Sequence, residues 1–173
     1  VDLTRRLDSG YEVWVRPSVH GHTFTAELGW EPPTSLNSDI GVEGYVFTAE
    51  QFEEHRAYVE SVCARSYVHG ETGRDWIPRT YDGDEFTELL AWYVTGGDVH
   101  TTGTERVGGS HGESSTAVEI GREATVPDGG ESEHTRVGRL LDRMGFDHYR
   151  NSRGYRFGSQ LLGEYLRDAC DET

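Results

Sequence analysis

Six of the sixteen arginines of this 173-residue chain, Arg136, Arg139, Arg143, Arg150, Arg153 and Arg156, fall within residues 134–158, where the only acids are Asp142 and Asp147. A guanidinium is a planar fork of donors that meets a phosphate, or the major-groove edge of guanine, through two parallel hydrogen bonds. The chemistry this stretch could do is therefore DNA recognition, with Tyr149 and Asn151 as lesser contributors. The stretch carries a net charge of +4, whereas the other 148 residues hold ten arginines and 29 acids, a net −19. An acidic DNA binder needs its positive charge confined to one surface, because carboxylates beside a phosphate repel it. Two other destinations for these arginines are the protein's own carboxylates, in a surface network, and an acidic protein partner.

A second constellation is VHGHTF, which supplies His20 and His22. If this segment is a strand, residues two apart project to the same side, and the two imidazoles could share a zinc ion. The other histidines, His55, His69, His100, His111, His134 and His148, show no ligand spacing such as HExxH. There is no P-loop, no dinucleotide fingerprint and no carboxylate pair whose geometry can be argued. No residue is nominated as catalytic, and no cofactor is expected beyond zinc in the metal reading.

These side chains need elements to hold them. Residues 11–30 alternate and are rich in β-branched and aromatic types, which predicts two strands meeting near residues 17–21. EPPTSLNSD reads as a loop. Thr48 with Gln51 three residues on forms a capping box, flanked by Phe47 and Phe52 at staple positions, and the helix runs to about Arg65. Another helix begins near Asp84, buries Phe86, Leu89, Leu90 and Tyr93, and stops at Gly96-Gly97. Residues 96–115 read as a loop or mobile hairpin, 115–124 as a short helix or a strand, and 126–133 as a turn or linker. Val137, Leu140, Leu141 and Met144 then sit at i, i+3, i+4 and i+7 of a helix over about 135–144, which leaves Arg136, Arg139 and Arg143 off the core stripe. HYR (148–150) and YRF (155–157) read as strands joined by NSRG, with Gly154 able to take positive φ. A closing helix turns Leu161, Leu162, Tyr165 and Leu166 inward. No internal repeat is present, and a boundary between about 70 and 84 divides the chain into parts 1–75 and 76–173.

Composition sets the background. Every cation is arginine, lysine is absent, and 31 Asp and Glu give a formal charge of −15. This is the composition expected of a protein from an extreme halophile, where dense carboxylates stay hydrated and salt screens their repulsion to a few ångströms. On that reading the acidity reports habitat rather than partners. Cys63 and Cys170 fall within apolar helical patterns and are expected to be buried free thiols. No apolar run reaches the roughly 18 residues of a membrane span, and no signal peptide is visible, so the expectation is a cytoplasmic protein without a membrane partner.

The arginine-faced helix followed by a basic hairpin, VGRLLDRMGF and then HYRNSRGYRF, resembles the recognition helix and wing of a winged-helix domain, most closely those at the ends of viral and plasmid primase-helicases. The resemblance covers about 134–158 and implies that helix 84–95 and segment 115–124 supply the first two helices. It further implies a helix entering a major groove while the wing reaches the backbone or minor groove of double-stranded DNA. HGH in turn resembles the motif of the pyruvoyl-tetrahydropterin synthase family, with GYVF at 44–47, His69 and EFTELLAWY at 85–93 near that family's conserved turn, catalytic histidine and second helix. That likeness implies a metal-dependent enzyme of T-fold acting on a pterin-like molecule through His20 and His22. The expectation is an α+β protein, with an N-terminal β-hairpin plus helix and a C-terminal winged-helix-like part. Its expected function is binding double-stranded DNA as a transcriptional regulator or replication accessory, as a monomer or homo-oligomer. A non-catalytic structural or virion-type protein is the remaining class.

Overall fold

The computed structural model describes residues 1–7, 9–38, 40–70, 76–102, 115–121 and 133–171. It is mixed α and β, with helices and two antiparallel sheets in two compact units, residues 2–80 and residues 81–173.

In the first unit Val13 and Val15 alternate inward from strand β1 (Tyr11–Val15), as the pattern predicts. The predicted second strand is a helix instead. Residues Gly21–Leu28 form helix α1, with the side chain of His20 capping its N-terminus. Phe24 and Leu28, four residues apart and both buried, make one helical stripe, and the threonines between them imitate a strand's alternation. Gly29, at φ 79°, ends the helix in the left-handed conformation, its N–H donating to the Thr25 carbonyl. The stretch read as a loop contributes strand β2 (Thr34–Asn37), and GYVF lies within strand β3 (Val42–Thr48).

Helix α2 (Ala49–Val62) begins with the expected capping box: Gln51 N donates to Thr48 Oγ1 at 3.3 Å and Thr48 N to Gln51 Oε1 at 3.0 Å. Phe47 and Phe52 flank that box and are fully buried. Strands β4 (Ser66–Gly70) and β5 (Ile77–Pro78) complete a sheet of order β2-β3-β1-β4-β5. Rings of Phe24, Tyr45, Phe47 and Tyr58 pack α1 and α2 onto one face of it, at centroid distances of 5.0–6.3 Å. Cys63 is a half-buried free thiol, pushed up to about 12 by burial, and Cys170 is also free and half-buried.

Beneath α2 lies an ionic knot. Arg56 reaches Asp2 at 2.9 Å, Glu60 at 3.2 Å, Thr4 at 2.8 Å and Glu53, while Arg79 holds Asp2 at 2.5 Å and Glu60 at 3.0 Å. Both guanidiniums also lie over the Phe52 ring. The knot ties the short 3-10 helix Leu3–Arg5 to α2 and to the chain leaving β5.

In the second unit Asp82 accepts from the backbone N–H groups of Asp84 and Glu85, starting helix α3 (Gly83–Gly96). Phe86 and Leu89 are buried as predicted, and Leu90 and Tyr93 are half-buried. Strands β6 (Asp98–Thr102) and β7 (Ser115–Ile120) pair antiparallel, so of the two readings of 96–115, loop or hairpin, the residues of β6 take the hairpin. Residues 103–114 and 122–132, which hold the rest of that stretch and most of the expected turn at 126–133, lie outside the described residues. Because 115–120 is a strand, with Val118 and Ile120 alternating inward, it does not supply the second helix that the winged-helix resemblance implied.

Helix α4 (Glu133–Met144), strands β8 (Tyr149–Asn151) and β9 (Gly154–Gly158), and helix α5 (Gln160–Asp171) complete the unit, giving a sheet of order β6-β7-β9-β8. Val99, Val118, Ile120 and Phe157 are buried on the face that meets α3, α4 and α5. A Cβ on Gly163 would lie 3.0 Å from Val99 and Thr116, which is how close α5 runs to the sheet.

Candidate nucleic-acid interface

Helix α4 is anchored as its sequence predicts. Val137, Leu140, Leu141 and Met144 are all at most 3% exposed, each worth roughly 1.5–3 kcal/mol of burial. Gly138 faces Tyr155 so closely that a Cβ would sit 2.7 Å from the phenol oxygen, which holds α4 tight against β9. Gly145, at φ 80°, stops the helix, and Phe146 turns inward to stack on Phe157 at 4.7 Å and on Tyr81 at 5.6 Å.

Arg136, Arg139 and Arg143 are exposed on the opposite stripe, where the spacing placed them. Two of them also meet acids of α3: Arg136 lies 3.2 Å from Glu88, and Arg143 lies 3.0 Å from Glu85 and 3.7 Å from Glu88. Part of the arginine face is thus paired within the molecule. The signal was local, two acids three residues apart on a predicted helix, but which helix would face them was not in the sequence.

The hairpin separates the remaining arginines. In the ladder, Arg156 stands between Glu119 on β7 and Tyr149 on β8, so these side chains share the face away from the helices. Arg150 pairs with Tyr155 and so belongs to the helix-bearing face, at its edge strand. Arg153 sits in the turn, exposed. Among the described residues, Arg150, Arg153 and Arg156 take part in no ion pair. Tyr149 is 57% exposed.

Asn151 has structural work in the turn. Its Oδ1 accepts from the N–H groups of Arg153 at 2.8 Å and Gly154 at 2.9 Å, and its Nδ2 donates to Glu119 at 3.3 Å. It closes the turn and ties it to β7. Gly154 is at φ 147°, and a Cβ there would lie 2.3 Å from the carbonyl oxygens of both Ile120 and Gly121. Gly154→Ala is therefore expected to destabilise this unit by about 2 kcal/mol, read as a lower midpoint in a denaturant titration, with the turn rather than the helices disturbed.

The same sheet face is acidic at its other end. His100 lies 3.6 Å from Asp98 and 4.0 Å from Glu119, beside a cavity of about 380 Å³ that extends to Ser152 and Arg153. Acids at β6 and β7 repel anions, so the β8–β9 end of this face is the less repulsive one for a negatively charged group.

His20 and His22 are not on a strand. His20 is the N-cap of α1, its Nδ1 accepting from the His22 N–H at 3.3 Å, and His22 is on the first turn, exposed. The shared side that a strand would give the two imidazoles is lost. Among the described residues no group of three or more His, Cys, Asp or Glu side chains is placed to hold a metal ion, and no helix is long and apolar enough to cross a membrane.

Compared with known proteins, the chain matches no family model, no curated protein and no solved structure.

Proposed function

We propose that residues 81–173 bind double-stranded DNA, with the arginine face of α4 directed at the major groove and the β8–β9 hairpin at the adjoining backbone or minor groove, as a winged helix does. The observation that carries this reading is the contrast between two sets of arginines in a chain where acids outnumber arginines 31 to 16. Arg56 and Arg79 are wrapped in carboxylates, whereas Arg150, Arg153 and Arg156 have no ion-pair partner among the described residues. Three cations on one short hairpin without an ion pair among the described residues, in a strongly acidic protein, favour an anionic partner.

The Arg136 and Arg143 pairs do not oppose it. Their guanidinium side chains are 56% and 50% exposed, and ion pairs at such exposure contribute roughly 0–1 kcal/mol, so a phosphate can displace the glutamates cheaply. The arginine-only, acid-rich composition supports a high-salt setting, in which phosphate contacts weaken and base-edge contacts carry more of the affinity.

The test is fluorescence anisotropy of a labelled duplex titrated with the full chain across a salt series. Binding is expected to weaken with salt at a slope of about −0.9 in log K per phosphate contacted, so near −4 for roughly four contacts. No binding at moderate salt, with circular dichroism showing the fold intact, overturns the reading.

A further inference from the structure

The five-stranded sheet of residues 2–80 bears a cavity of about 710 Å³, within the size range of small-molecule sites, that reaches from Gln51 at the start of α2 onto the face away from α1 and α2. Registered neighbours Thr48, Glu12 and His69, from β3, β1 and β4 in turn, run across its floor. Trp30 stands toward the β2 edge, its ring edge-on to Phe47 at 5.8 Å and its indole N–H donating to His55 at 3.3 Å. Trp76 stands toward the β5 edge, its ring 4.0 Å from that of His69. Leu36, 62% exposed on the edge strand β2, lines its rim.

The lone pairs still available decide what such a cavity takes. Thr34 already donates to Glu43 at 3.0 Å, and Thr48 and Gln51 satisfy each other in the capping box. Two carboxylates remain, Glu12 and Glu31. Glu12 is 43% exposed at the side chain and meets only His69, at 3.1 Å, among the described residues. Glu31 is exposed. Among the described lining residues there is no arginine, so an anion would meet repulsion and no compensating charge. Tryptophan faces attract cations more strongly than the other aromatic rings do.

We propose that this cavity binds an organic cation, an ammonium group carried on an apolar body. Glu12 and Glu31 supply the opposite charge, Trp30 and Trp76 the aromatic faces, and Leu36 and Val46 the surface for the body. The inference concerns a different unit from the DNA reading and does not depend on it.

Calorimetric titration of the full chain with choline, and in parallel with its uncharged isostere 3,3-dimethylbutan-1-ol, tests the proposal. Choline is expected to bind saturably, the alcohol roughly tenfold or more weakly, and Glu12→Gln is expected to lower choline affinity by a similar factor with an unchanged circular dichroism spectrum. Glu31→Gln, at an exposed position outside the strands, reads the same charge dependence if Glu12→Gln folds poorly. No saturable choline binding, equal binding of the alcohol, or undiminished affinity in a folded carboxylate variant overturns it.

Discussion

Replacing Arg150, Arg153 and Arg156 together by glutamine is expected to lower duplex DNA affinity by roughly a hundredfold at low salt and to flatten the salt slope by up to about 2.7, since each lost phosphate contact removes about 0.9. The three side chains are not equivalent. Arg153 projects from the turn, Arg150 lies on the helix side of the edge strand, and Arg156 lies on the other face with Tyr149. A wing that straddles a phosphate strand would use both faces, so the triple variant should lose more than any single one. Folding is not at stake. Asn151 and Gly154, which build the turn, are untouched, and none of the three replaced side chains has an ion pair among the described residues. Arg139→Glu, off the core stripe of α4, is expected to abolish binding through the helix while leaving thermal stability nearly unchanged. If the triple variant binds within about threefold of the parent, the hairpin is not the contact; if Arg139→Glu binds normally, the helix is not the reader.

How far the sequence could be read depended on how local each signal was. The Thr48 capping box, the Gly96-Gly97 stop, the α4 stripe and the NSRG turn each rest on residues within one or two turns of each other, and the structure places all four as expected. The failures come from local patterns that two structures share. HTFTAEL alternates like a strand, but Phe24 and Leu28 also satisfy helical spacing, and burial against Tyr45, Phe47 and Tyr58 decided for the helix. Strand β2 is short, lies at a sheet edge and exposes Thr34 and Leu36, so it leaves little hydrophobic pattern to read. Partners far apart in the chain were not legible at all. Glu85 and Glu88 meet Arg143 and Arg136 from 48–58 residues away, and Glu12 meets His69 only through the register of β1 and β4. The cavity between Trp30 and Trp76 arises from the same register, and neither tryptophan carries a motif that would announce it.

The Arg56 knot is the most distant of these arrangements, and Arg56→Leu is expected to produce the largest loss of stability. The guanidinium is 8% exposed and serves Asp2, Glu53, Glu60 and Thr4 at once. Removing the buried guanidinium leaves Asp2, 18% exposed at the side chain, and the Thr4 hydroxyl short of a partner, at a cost of about 3 kcal/mol. For a unit of this size that is roughly 12–24 °C in Tm, readable by circular dichroism. The acid limb of stability should change with it. Burial works to raise the Asp2 carboxyl, but the Thr4 hydrogen bonds and the charges of Arg79 and Arg56 outweigh it and hold the group below its ordinary 3.8. Glu53 is held below its ordinary 4.5 chiefly by its hydrogen bond to Arg56. A carboxyl lowered in the folded state binds fewer protons there than in the unfolded chain, so its contribution is complete above the ordinary value and is lost as pH falls through the folded one. The parent should therefore lose stability steeply as pH drops below about 4. In Arg56→Leu the Glu53 carboxyl loses most of what lowers it, while Asp2 keeps the Thr4 hydrogen bonds and the charge of Arg79, so the variant's curve should start lower at pH 7 and, through Glu53, fall less as pH drops below about 4.5. A variant curve parallel to the parent's across that window would show that Arg56 does not hold Glu53 ionised.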